Sequence, residues 1–138
     1  MMIRQLLDLY DWDWRVYVYY IVNECDVDEI LHKMRTIGAS EGELIKASLT
    51  LSADALNCGI TYSNIDSRRS VVVIGQAESA EEFASTYDHE KGHLAMHIVE
   101  ALGLSIYGEE YQYLTGEIGR QMFRVAKQFM CECCRARK

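Results

Sequence analysis

An α+β fold, with about three strands in one small, mostly antiparallel sheet and four helices, follows from three features of the chain. Runs of β-branched and aromatic residues mark strands, Ser/Asp-x-x-Glu signals open three helices, and no proline interrupts any of them. At 138 residues, 49% hydrophobic and 25% charged, residues 1–138 are expected to form a single domain with a real core.

After a short amphipathic opening, Trp14 to Val22 is rich in β-branched and aromatic residues and reads as a buried strand. Asp26-x-x-Glu29 then starts a helix with Val27, Ile30, Leu31, Met34 and Ile37 at helical spacing, and Gly38 stops it. Ser40-x-x-Glu43 starts the next, whose apolar face, Leu44, Ile45, Ser48, Leu49 and Leu51, runs to about Ala55. Cys58 to Ile65 and Arg69 to Ile74 form a hairpin around Asp66-Ser67-Arg68. Ser79-x-x-Glu82 opens a helix carrying Phe83, Tyr87, Leu94, Ile98 and Ala101 as far as Gly103. From Gly108 a long helix repeats Tyr111, Leu114, Ile118, Met122, Val125 and Phe129, then frays into a Cys-rich tail.

A formal net charge of -7, with basic residues crowded only at Arg135-Ala136-Arg137-Lys138, disfavours nucleic acid as a partner. No run approaches the roughly 18 to 20 apolar residues of a membrane span. Asp8, Asp11 and Asp13 interrupt the start before it resembles a secretory signal, so no membrane role and a cytoplasmic location are expected. Five cysteines, an odd number, suit reduced thiols rather than a disulfide framework. Cys131-x-x-Cys134, with Cys133 between, offers three sulfurs where a structural metal site needs four ligands.

The chemistry is concentrated in His89-Glu90-Lys91-Gly92-His93. On a helix, residues four apart lie about 6 Å along the axis on nearly one face, so both imidazoles can grip one ion. Zinc takes nitrogen ligands at about 2.0 to 2.1 Å, and catalytic sites usually use three protein ligands and a water. Glu90, about 100° round the helix, stands beside the metal as a general base. In a chain with four histidines, chance gives this pattern on the order of one time in a hundred.

His97 is about 12 Å of rise from His89 and is therefore no third ligand; a hydrogen-bonded place near the core suits it better. Glu109, Glu110 and Glu117 follow the Gly103 break, where the chain turns back. Glu110 is the nearest after a short turn if the last two helices cross steeply at the metal; a strictly antiparallel pairing would present Glu117 instead.

His89-Glu90-x-x-His93 with an acidic residue early in the next helix resembles the gluzincin metallopeptidases, and Gly-Glu-Glu-Tyr-Gln-Tyr-Leu at 108 to 114 looks like their second-helix glutamate motif. The likeness covers about 79 to 125. It implies a minimal zincin-like domain, a twisted sheet over the active-site helix, and an edge strand that pairs with an extended peptide or protein substrate. The hairpin at 58 to 74 is the candidate for that edge.

The expected function is zinc-dependent peptide-bond hydrolysis, with His89, His93 and Glu110 on the metal and Glu90 as base. Tyr107, Tyr113 and Arg120 are candidate oxyanion donors. Two other readings stand beside it: a catalytically silent, metal-stabilised interaction or regulatory module, and a deformylase-like amidase using Cys58 as the upstream ligand.

Overall fold

The computed structural model describes residues 1–52 and 58–136. Among the described residues four strands, β1 (Ile3–Leu9), β2 (Trp14–Tyr20), β3 (Gly59–Asn64) and β4 (Arg69–Ile74), form one sheet in the order β1-β2-β4-β3. Among the same residues five helices accompany them: α1 (Val27–Ile37), α2 (Glu41–Thr50), α3 (Ala80–Leu102), α4 (Glu109–Ala126) and the short α5 (Glu132–Arg135). The α+β class stands, and the sheet is mixed: β1/β2 and β3/β4 are antiparallel, whereas the central β2/β4 pair is parallel.

Burial explains the central pair. Val16, Val18, Tyr19 and Tyr20 of β2 and Val71 to Ile74 of β4 are all buried, the near-continuous apolar pattern of strands covered on both faces. α3 and α4 cover one face, where Trp14, Val16, Val18, Tyr20, Val72 and Ile74 meet Phe83, Tyr87, Leu94, Ile98, Leu114 and Met122. α1 and α2 cover the other, where Tyr19, Val71 and Val73 meet Ile30, Met34, Ile37 and Leu44.

Three expectations need correction. The opening segment is β1, not an amphipathic lead-in: Leu7 and Leu9 are fully buried while Leu6 is 54% exposed, and every residue from Ile3 to Leu9 has a partner on β2. The first expected strand stops at Tyr20, because Ile21 swings to φ 60. On α2 the buried face is Leu44, Ala47 and Leu51, with Ile45 and Leu49 exposed; the expected continuation over 53 to 55 lies outside the described residues.

The helix signals act as their chemistry dictates. Ser40 Oγ accepts from Glu43 N while Glu43 Oε1 accepts from Ser40 N, and Ser79 Oγ accepts from Glu82 N. Asp26 works differently from expectation: its carboxylate accepts from Asn23 N and closes the turn before α1. Gly38 and Gly103 end α1 and α3 at φ 119 and 67, a region that favours glycine.

α4 is tied to the sheet by Gln121, which donates to Asp8 O and accepts from Asp8 N; within the helix, Glu117 receives Arg120 and Gln121. The Arg120 hydrogen bond, then that of Gln121, holds the Glu117 carboxyl down at about 2, against an ordinary 4.5. A folded-state value below the unfolded one stabilises the fold above about pH 4.5, and that contribution is lost as pH falls toward 2. Because the pair is largely solvated, the effect should be about 0.2 to 1 kcal/mol. Glu117→Gln should therefore flatten the acid limb of stability against pH in urea titrations, with little change at neutral pH beyond that amount.

Candidate metal centre

α3 and β3 build the site together. Along β3, Gly59, Thr61 and Ser63 point toward α3, since they pair with Ile74, Val72 and Ser70 of β4, which face the same way. On α3, His89, Glu90, His93 and His97 fall on the flank that meets this strand.

His89 and His93 bring their Nε2 atoms to 3.0 Å. Two nitrogens gripping one tetrahedral zinc at its usual bond length lie about 3.3 to 3.4 Å apart, so the imidazole pair fits a divalent ion with a slight opening. Both rings are exposed at the cleft, so an ion held between them would be open to it.

Glu90, one position on, is 5% exposed. Its Oε1 accepts from Thr61 Oγ1 at 2.7 Å, and the same hydroxyl lies 3.3 Å from the Glu90 carbonyl oxygen. Gly59 makes room for the rest of the carboxylate: a Cβ there would stand 2.6 Å from Glu90 Oε2 and 2.7 Å from its Cγ. Gly59→Ala should consequently displace the carboxylate, cost roughly 1 to 3 kcal/mol of stability by overpacking, and leave the imidazole pair in place. Thermal unfolding and zinc titration of the variant measure the two effects separately.

His97, one turn beyond His93, accepts or donates at 2.8 Å to Ser63 Oγ. It is the hydrogen-bonded, half-buried residue that its spacing implied. Burial, and then neighbouring His93, hold its pKa below the ordinary histidine value.

A cleft of about 440 Å³ follows the outer side of β3. His89, Glu90, His93 and His97 line one wall, Glu43, Lys46, Ala47 and Thr50 of α2 the other, and Gly59 to Tyr62 the floor. Among the described residues no further strand pairs with β3 on that side, so its backbone edge is open to the groove.

Among the described residues no group of three or more His, Cys, Asp and Glu is assembled to hold an ion. The expectation that α3 and α4 cross at the metal is corrected: α4 packs against the flank bearing Asp88, Lys91 and Gly92, where Thr115 and Ile118 sit, with Gly119 beside Lys91 Nζ. On a helix that flank lies well round from His89 and His93. Glu109 and Glu110 occupy the exposed first turn of α4. Glu117 is engaged with Arg120 and Gln121.

Tyr107 and Tyr113 are 93% and 64% exposed and do not line the cleft, and Arg120 is paired with Glu117. Cys58 borders a smaller recess with Ser85, Thr86, His89 and Glu90. Sequence reasoning missed Gly59, Thr61 and Ser63; the signal was a period-two row of small or hydroxylic residues on one face of an edge strand. Among the described residues no helix is long and apolar enough to cross a membrane. Searches against protein-family models, curated proteins and solved structures find no match to this chain.

Proposed function

We propose that the protein is a zinc-dependent peptidase that hydrolyses peptide bonds of an extended chain lying along β3. The carrying observation is the convergence of the His89 and His93 Nε2 atoms beside a carboxylate held by Thr61, at the wall of a groove floored by an open strand edge.

His89 and His93 would hold the ion through Nε2. Zinc, when bound, supplies polarisation of the scissile carbonyl and a water of lowered pKa. Glu90 accepts the water's proton and returns it to the leaving amine. The Thr61 hydroxyl occupies Oε1 and fixes the carboxylate's rotation, so Oε2 is the atom left for proton transfer. Backbone N–H and C=O groups of β3 hold the substrate by strand addition, which demands no particular side chain and aligns the peptide with the histidine wall. This arrangement supports a zincin-like reading of the fold.

Glu110 is our choice for the third ligand; since α4 packs on the other flank of α3, its first turn would have to move toward the imidazole pair when an ion binds. It is exposed and has no hydrogen bond or ion pair among the described residues, whereas Glu117 is already committed to Arg120 and Gln121. Glu110→Ala should weaken zinc binding at least about tenfold, and Glu117→Ala should not; equal affinity for Glu110→Ala and the parent would remove Glu110 from the site.

A second reading, a small amidase of the deformylase kind, is favoured by the recess that Cys58 shares with His89 and Glu90. Hydrolysis of a formyl-peptide that fails in Cys58→Ser, with casein untouched, would select it. For the main reading, purified protein should take up one zinc per chain and release peptides from quenched-fluorescent casein in a chelator-sensitive way. Failure to take up metal overturns it.

A further inference from the structure

A hydrogen-bond chain runs through the sheet to the cleft. Trp14 Nε1 lies 2.9 Å from Ser70 Oγ, Ser70 Oγ 2.7 Å from Ser63 Oγ, and Ser63 Oγ 2.8 Å from His97 Nδ1. Trp14 and Ser70 are 1% and 0% exposed. The residues come from β2, β4, β3 and α3 in turn, so the chain steps from strand to strand across the sheet.

Proton counting gives the chain a direction. An indole N–H only donates, so Ser70 Oγ accepts from Trp14. Were His97 to donate from Nδ1, one hydroxyl proton would have no acceptor among the described residues: that of Ser70 if Ser63 donates to it, or that of Ser63 if Ser63 accepts from both neighbours. A hydroxyl proton left unused in this part-buried chain is costly. In the opposite sense every proton is used: Trp14 donates to Ser70, Ser70 to Ser63, and Ser63 to Nδ1. The imidazole proton then sits on Nε2.

The Nε2 atom is available. It has no partner among the described residues, and the sole buried side-chain polar atom without one there is Trp12 Nε1, so His97 Nε2 is open where its ring lines the cleft. The spacing suits a peptide. One turn of α3 separates His97 from His93, a rise of about 6 Å, which corresponds to about two residues of an extended chain.

We infer that His97 is a substrate-binding residue: the Trp14–Ser70–Ser63 chain holds it as a neutral imidazole that donates from Nε2 to a backbone carbonyl of an extended peptide, about two residues from the bond at the metal pair. The inference rests on the peptidase reading for the nature of the bound chain, yet its test needs neither zinc nor turnover. Long-range proton–nitrogen NMR of the full chain, without metal and at about pH 8 where imidazole is neutral, should report His97 protonated on Nε2, and Ser63→Ala should yield a tautomer mixture. Protonation on Nδ1 in the parent protein overturns the assignment.

Binding of fluorescein-labelled casein, followed by anisotropy with chelator present, tests the carbonyl contact. His97→Ala should weaken it about three- to tenfold, the worth of one hydrogen bond. His97→Gln, whose amide can also donate, should recover part of the loss. Equal binding by His97→Ala and the parent, or no binding by the parent, overturns the contact. A protein that binds casein through His97 but never cleaves it keeps this inference and loses the peptidase reading.

Discussion

Glu90→Gln should reduce peptide hydrolysis by about 100- to 10,000-fold, the usual worth of a positioned general base, while zinc uptake stays at the parent level. Glutamine preserves the shape that fills the space over Gly59 and still accepts from Thr61 Oγ1 through its carbonyl, so the local packing has no reason to fail. What it loses is the capacity to accept a proton. Casein hydrolysis and zinc content, measured on the same preparation, provide the check. Undiminished turnover would remove Glu90 from the chemistry, and loss of zinc alongside activity would place it on the metal instead.

His93→Ala should weaken zinc binding by more than the roughly 10- to 100-fold associated with partners behind the metal ligands, and hydrolysis should vanish with it. Two imidazoles whose nitrogens meet at 3.0 Å would act as one chelating unit under the proposed function, so deleting either would leave a single monodentate nitrogen on the helix. His89→Ala should match it, because the pair contributes symmetrically. Folding should be almost untouched in both, since both rings are exposed and neither belongs to the buried core. Competition against a chromophoric chelator, with circular dichroism as the folding control, measures both. Retained affinity in either variant would locate the ion elsewhere.

Much of the architecture was readable in short stretches of chain. The helix starts at Ser40 and Ser79 and the stops at Gly38 and Gly103 are local chemistry, a hydroxyl reaching a nearby N–H or a residue tolerating positive φ, and they appear where the spacing put them. β1 was harder. Its alternation of Leu7 and Leu9 against Leu6 and Asp8 is present, but only pairing with β2 tells such a short run apart from an amphipathic lead-in. The parallel β2/β4 contact was not legible either, because β4 reaches its place beside β2 only after α1, α2 and β3 have intervened.

The same division runs through the candidate site. By itself, the sequence determined that His89 and His93 share a helical face with Glu90 beside them, because a four-residue step on a helix is set by backbone geometry and needs no distant contact. Tertiary structure alone decided that Thr61, 29 residues away, holds that carboxylate, that Gly59 makes room for it, and that a chain from Trp14 ends on His97. It also decided that α4 lies against the other flank of α3 and that Gln121 reaches Asp8 of β1. Those outcomes depend on which faces bury the most apolar surface when helices dock on a sheet, a property of the assembled core that no local spacing encodes.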